Sequence, residues 1–120
     1  MSNPSYTTFF EGKSVTSTTA DAGADVVFVA PLNHDAEITF LSCTNGGTTD
    51  TVNVMVYHFD DDTYYYLLRQ HSIAGNDTYL LAEKSSIYLH AGDKLVVLKN
   101  GGTFDVSVSG KLFYNPVRSL

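Results

Sequence analysis

The chain is short of cysteine, tryptophan, charge and long apolar runs. Cys43 is its only cysteine, so no disulfide can form within the chain, which excludes a disulfide-stapled secreted scaffold. Residues 1–4 contain neither a charged nor an apolar signal region, and we expect no signal peptide. No apolar run approaches the ~18 residues of a membrane-spanning helix. We therefore expect synthesis and folding in the cytosol, without a membrane partner.

Positive charge is scarce as well. Seven Lys and Arg residues against thirteen Asp and Glu residues give a net charge of -6. The basic residues are scattered and form no stripe that follows a phosphate backbone, so we expect no nucleic-acid partner. Charged residues make up 17% of the chain, below the roughly 25% that is usual. Such a weakly charged surface suits a protein that packs against other subunits.

Short apolar and alternating segments dominate what is present. They recur every ~8–12 residues with Gly, Asn and Asp between them, and none combines helical periodicity with helix caps. Val52, Val54 and Val56 alternate with Asn53 and Met55, as in a half-buried strand. The pattern predicts an all-β fold: an antiparallel β-sandwich, jelly-roll-like, with about eight strands.

The composition divides this single domain into three parts. Residues 1–23 are rich in Ser and Thr and form an N-terminal arm, which either is a mobile tail or holds an edge strand and docks on a neighbour. Residues 24–114 form the β-sandwich, and residues 115–120 form a C-terminal tail. The predicted core residues are Val27, Val29, Ile38, Phe40, Val52, Val54, Val56, Leu80, Ile87, Leu89, Leu95, Val97, Val106 and Val108.

The run Asn-Gly-Gly-Thr-x-Asp occurs twice, at residues 45–50 and 100–105. Asn and Gly tolerate the positive φ angles of tight turns, so each copy predicts a hairpin turn. Valines follow at even steps after Asp50 and at odd steps after Asp105, which indicates a one-residue shift such as a bulge. Similar turn chemistry is the favoured explanation of the pair, and ancient duplication is the alternative.

No arrangement of residues points to catalysis. The four histidines form no metal-binding or protease motif, Gly-x-Ser-x-Gly is absent, and Cys43 lies in an apolar strand, as a buried thiol would. Asp60, Asp61 and Asp62 suggest a hard cation, but the run lacks the alternating acids and the glycine of a calcium loop, which favours a solvated turn. We predict a protein that is not an enzyme and uses no cofactor or metal ion.

Aromatic side chains are the remaining signal, with eight tyrosines and seven phenylalanines. Consecutive tyrosines at positions 64–66 must face both sides of a strand, so one side is core and the other contacts water or a partner. A tyrosine buries a large ring and keeps a polar tip, which favours core and protein interface over sugar binding. The predicted partner contacts are Phe9, Phe10, Tyr64, Tyr66, Phe113 and Tyr114.

Four segments together resemble a known family. Residues 83–97 contain Lys-x-x-Ile-x-Leu-x-x-Gly-Asp-x-Leu-x-Val, residues 38–45 and the alternating residues 52–56 precede them, and residues 106–110 follow. In this order and spacing, over residues 25–110, they resemble the small all-β virion structural proteins of tailed bacteriophages.

The resemblance implies a non-enzymatic particle component, foremost a capsid decoration (cement) protein that stabilises the shell by binding between capsid subunits. A neck, tail or baseplate subunit is an alternative. A host-glycan-binding β-sandwich module, using the tyrosines and the acidic turn at residues 60–62, is another. The expected partners are the major capsid protein or other virion proteins, together with further copies of the chain in a homo-oligomer. The expected location is the virion, assembled in the host cytoplasm.

Overall fold

The computed structural model describes residues 6–15, 26–81 and 86–115. In these residues the chain forms nine β-strands and no helix, arranged in two antiparallel sheets. The predicted all-β, antiparallel sandwich is confirmed. The strands are β1 (Tyr6–Val15), β2 (Val26–Val29), β3 (His34–Asn45), β4 (Asp50–His58), β5 (Thr63–Ile73), β6 (Thr78–Leu81), β7 (Ile87–Leu89), β8 (Lys94–Lys99) and β9 (Phe104–Tyr114).

Strands that are distant in the chain are neighbours in both sheets. Sheet A has the order β1-β9-β3-β6, with β7 also paired to β3, and sheet B has the order β2-β8-β4-β5. The pairs are therefore nested: β1 with β9, β2 with β8, β3 with β6 and β7, and β4 with β5. Nested pairing is compatible with the predicted jelly roll, which stays a prediction at this finer level.

The two Asn-Gly-Gly turns do not form hairpins, and that expectation is wrong. One joins β3 in sheet A to β4 in sheet B, and the other joins β8 in sheet B to β9 in sheet A. The turns cross side by side, because the Gly46 N–H donates to the Thr103 carbonyl at 2.9 Å and the Asn100 N–H donates to the Thr51 carbonyl at 3.0 Å. Residue preferences fix the φ angles of a turn but not the sheet that the next strand enters.

The core lies between the two sheets, and most of the predicted core residues are in it or pack against it. Phe40 is an exception, with 40% of its surface exposed. A bulge in β3 between Ile38 and Phe40 shifts the register against β9. As a result Leu41 and Cys43, rather than Phe40, follow Ile38 on the inner face.

Val29 and Leu80 are the other two predicted core residues that are exposed. In β2 an irregularity after Val26 lets Phe28 face the core beside Val27, and Val29 then points outward. In β6 the strand alternates normally, and Leu81 rather than Leu80 packs against the core. The sequence pattern of such short apolar strands does not identify the inner face.

Asn45 holds the first Asn-Gly-Gly turn in place. Its side chain is fully buried. The Nδ2 group donates to the carbonyls of Thr48 at 2.7 Å and Ile73 at 2.9 Å, and Oδ1 accepts from the Gly47 N–H at 2.9 Å. Asn100, at the same place in the second turn, is exposed and donates through Nδ2 to the Asp50 carboxylate at 2.9 Å. The two copies of the motif are therefore not equivalent.

We expect Asn45→Ala to lower the free energy of unfolding by roughly 3 kcal/mol, because it removes three hydrogen bonds and leaves buried backbone groups unsatisfied. Asn100→Ala is the matched control and should cost less than about 1 kcal/mol, because the groups it frees are solvated. Urea unfolding followed by circular dichroism measures both. Equal losses in the two variants would contradict the assignment of Asn45 as the anchor.

Candidate functional site

Phe9 and Phe10 face opposite sides of β1. The ring of Phe9 is half-buried and stacks on the ring of Phe28, with 4.3 Å between centroids. Phe10 leaves 67% of its surface exposed on the outer face of sheet A. Of this predicted pair, only Phe10 exposes most of its surface to solvent. The role of both residues in partner binding stays a prediction.

The outer face of sheet A carries a group of exposed apolar side chains. Phe10 lies opposite Ser109 in β9, and Ser109 lies opposite Phe40 in β3, so the three side chains share one face. Leu80 and Tyr88 extend the same face on the far side of β3, with 40% and 65% of their surfaces exposed. We call Phe10, Phe40, Leu80 and Tyr88 the sheet A patch.

Phe113 and Tyr114 lie at the end of β9. Phe113 is half-buried, faces outward like Ser109, and contacts the ring of Tyr6 with 6.0 Å between centroids. Phe113 and Tyr6 therefore continue the outer face beyond the sheet A patch. Tyr114 is exposed and meets the ring of His34 edge-on at 5.7 Å.

Tyr64 and Tyr66 lie on the other side of the molecule, on the outer face of sheet B. They are paired with Tyr57 and Met55 of β4. There Tyr57 and Tyr64 pack against a second apolar cluster, in which Met55, Val96 and Leu98 are buried. Part of the outer face of sheet B is thus apolar, and Tyr64 packs within the chain itself. The six predicted contacts do not form one site.

The acidic turn between β4 and β5 is tied to two tyrosines. The Tyr57 hydroxyl donates to the Asp62 carboxylate, and the Tyr65 hydroxyl donates to Asp61 Oδ2 at 2.6 Å. His58 Nδ1 lies 3.2 Å from Asp61 Oδ1. The turn therefore has a hydrogen-bonding role within the hairpin, and the described residues contain no group of three or more His, Cys, Asp or Glu side chains arranged to hold a metal ion.

These contacts shift the pKa values of their members. The hydrogen bond to Asp62 raises the pKa of Tyr57 to about 12, and the hydrogen bond to Asp61 raises the pKa of Tyr65. In turn, the Tyr65 hydroxyl lowers the pKa of Asp61. The phenols of Tyr57 and Tyr65 stay protonated and the Asp61 carboxylate stays ionised over the neutral pH range, so these shifts do not alter the turn there.

Cys43 is fully buried on the inner face of β3, as the sequence predicted. Burial raises the pKa of its thiol to about 11. The reactive thiolate is therefore scarce at neutral pH.

Sequence patterns missed three features of the surface. Phe40 and Leu80 were predicted in the core, and Tyr88 was not singled out. Leu80 and Tyr88 lie on different short strands, and their common face follows only from the pairing of both strands with β3. The position of Phe40 depends on the β3 bulge, for which the sequence gives no clear signal.

In the part of the chain that the structure describes, no helix is long and apolar enough to cross a membrane. Comparisons with protein-family models, with curated proteins and with solved structures gave no match. The resemblance to phage virion proteins therefore stays a prediction that rests on the sequence motifs.

We expect Asp62→Asn to lower the pKa of Tyr57 from about 12 toward the ordinary value near 10. The raised pKa contributes stability that is fully present below the unfolded pKa near 10 and is lost as the pH rises through about 12. Absorbance titration of the phenolate measures the shift. Tyr57→Phe shows which part of the absorbance change belongs to Tyr57, because this variant lacks that phenol. An unchanged titration in Asp62→Asn would contradict the hydrogen bond.

Proposed function

We propose that the protein is a non-enzymatic structural protein of a bacteriophage particle, namely a capsid decoration protein that binds between capsid subunits. The observation that carries the proposal is the sheet A patch, which leaves two phenylalanines, a leucine and a tyrosine exposed on one face. Single exposed apolar residues are ordinary, whereas a group on one face is typical of a protein-binding surface. Phage membership rests on the resemblance of the sequence motifs.

The chemistry around the sheet A patch also suits a protein partner. Aromatic side chains are enriched at the centres of interfaces, where charged residues are depleted. Ser107 and Ser109 are small and uncharged between the apolar side chains, and Lys111 and Glu37 lie opposite each other on neighbouring strands of the same face. A partner that covers the four side chains of the patch would thus displace water mainly from rings and methyl groups.

The face of sheet A, rather than its edge, is the better candidate for the interface. β1 lies at one edge of the sheet order and pairs with β9. A long edge strand can recruit a strand from another chain. Here Glu11 and Lys13 lie opposite the buried Val108 and Val106, yet both charged side chains are exposed. Charged residues at inward positions of an edge strand disfavour strand addition.

A shell component can reach a stable interface by contacting several neighbours at once. A stable interface buries ~800 Å² on each partner, more than the four side chains of the patch supply. A subunit lodged between capsid subunits, or in a homo-oligomer on the shell, contacts more than one neighbour and reaches that area through several faces. Binding to the assembled state alone then stabilises the shell. A neck, tail or baseplate subunit would use the same surface at a different place in the particle.

We expect the double variant Phe10→Ser, Phe40→Ser to bind particles at least ~30-fold more weakly than the unchanged chain, because central aromatic contacts contribute ~2 kcal/mol or more. The assay adds purified protein to particles of the encoding phage that were grown without this gene, and measures occupancy after sedimentation. Tyr65→Ser is the matched control, because Tyr65 is 51% exposed on a strand of sheet B.

Urea unfolding of each variant shows that the fold is intact. If the chain is absent from purified particles and does not bind to them, the proposed function is wrong. If the double variant binds at full occupancy, the particle assignment stands and the sheet A patch is not the interface.

The single variants at Phe9 and Phe10 should separate binding from stability. Phe10→Ala is expected to weaken particle binding with little change in the free energy of unfolding, because the ring is exposed. Phe9→Ala is expected to lower the free energy of unfolding by about 1–3 kcal/mol, because its ring packs on Phe28. Sedimentation and urea unfolding report the two effects. The opposite pattern would show that Phe9, rather than Phe10, contacts the particle.

A further inference from the structure

A strained bulge interrupts β5 on the side of the sandwich away from the sheet A patch. Between the pairs Val52–His71 and Val54–Leu68, β4 has one residue, Asn53, where β5 has two, Arg69 and Gln70. Gln70 adopts a φ of 49°, a left-handed backbone conformation that is uncommon for a residue other than glycine. Its N–H donates to Asn53 Oδ1 at 2.7 Å, which holds the bulge in place.

Strain of this kind is concentrated at binding and catalytic sites, and bulges there redirect side chains. The bulge of β5 borders a depression of about 400 Å³, which lies in the size range of small-molecule sites. The side chains that line it are all polar and belong to three strands and one turn: Thr51, Asn53, Gln70, Lys99 and Asn100.

Several donors and acceptors in this depression remain available. Lys99 Nζ donates one hydrogen bond, to the Gly102 carbonyl at 2.9 Å, and an ammonium group has three donors. Within residues 6–15, 26–81 and 86–115, the Gln70 side-chain amide, the Thr51 hydroxyl and Asn53 Nδ2 make no hydrogen bond. Asn100 Nδ2 is oriented by the Asp50 carboxylate at 2.9 Å.

An aromatic ring lies on the same face of sheet B as these polar groups. Tyr66 is opposite Met55, which is two residues from Asn53 along β4, so Tyr66 and Asn53 lie on the same face of sheet B. Tyr66 is 51% exposed. The guanidinium of Arg69, a residue of the bulge, lies over the ring, 5.0 Å from its centroid.

We propose that this depression binds a hexopyranose unit of a glycan. Amide, hydroxyl and ammonium groups pair with sugar hydroxyls, and the exposed part of the Tyr66 ring offers an apolar surface to the C–H groups of the sugar. A phosphate-rich ligand fits less well, because Lys99 is the only cation among the lining residues, the nearby Arg69 guanidinium is engaged by the Tyr66 ring, and the Asp50 carboxylate is hydrogen-bonded to Asn100. The proposal does not depend on the sheet A patch, which lies on the other sheet.

The test uses the fluorescently labelled full chain on a printed array of neutral and carboxylated glycans, followed by titration of the best glycan. We expect the chain to bind at least one glycan saturably. The array then shows whether that glycan is neutral or carboxylated. Gln70→Gly and Tyr66→Ala should each weaken binding roughly tenfold, the usual loss for a polar contact or an apolar contact of this size. Tyr65→Ala is the matched control, since Tyr65 is equally exposed but hydrogen-bonds to the acidic turn.

Gln70→Gly also reports on the strain. Glycine adopts the left-handed conformation without cost, so this variant should be as stable as the unchanged chain or more stable while binding the glycan less well. Absence of binding across the whole array would overturn the proposal, as would binding that Gln70→Gly and Tyr66→Ala leave unchanged. Particle binding through the sheet A patch should be unaffected in both variants, so failure of one proposal is distinguishable from failure of the other.

Discussion

The sandwich depends on the pairing of β3 with β9, which continues in the other sheet as the pairing of β4 with β8. Two Asn-Gly-Gly turns carry both pairs across the gap between the sheets, and they are held together by backbone hydrogen bonds. Asn45 satisfies the carbonyls that the first crossing leaves inside the protein. If the two crossings were not fixed, the register of β3 against β9 and that of β4 against β8 would not be tied to each other.

The same strand pair determines the outer surface through Gly110. A Cβ atom at Gly110 would lie 2.0 Å from the Glu37 carbonyl oxygen, a distance that no side chain tolerates. The close approach coincides with the β3 bulge after Ile38, and the bulge is what turns Phe40 outward. A glycine of the core strand β9 is thus coupled to an aromatic side chain on the outer face of sheet A.

How much of this could be predicted from the sequence depends on the range of the interactions involved. The alternation of Val52, Val54 and Val56 depends on local periodicity, and it predicted a strand and its inner face correctly. The crossing of the Asn-Gly-Gly turns, the bulge that exposes Phe40 and the strained Gln70 depend on which distant strand lies alongside, and the local sequence does not encode that. The depression on sheet B was missed for the same reason, because its lining residues come together only through strand pairing.

The two sheets use their aromatic residues differently, and this bears on how the two proposed sites can coexist. On sheet B, Tyr57 and Tyr65 are anchored through their hydroxyls to the acidic turn, and Met55, Val96 and Leu98 are already buried beneath the aromatic layer. On sheet A, Phe10 and Tyr88 remain largely exposed. Two packed sheets lie ~10 Å apart, and substitutions at such distances without shared partners have nearly additive effects. A partner on sheet A and a sugar on sheet B can therefore bind to the same rigid sandwich without competing, and a change at one surface leaves the affinity of the other largely unaltered.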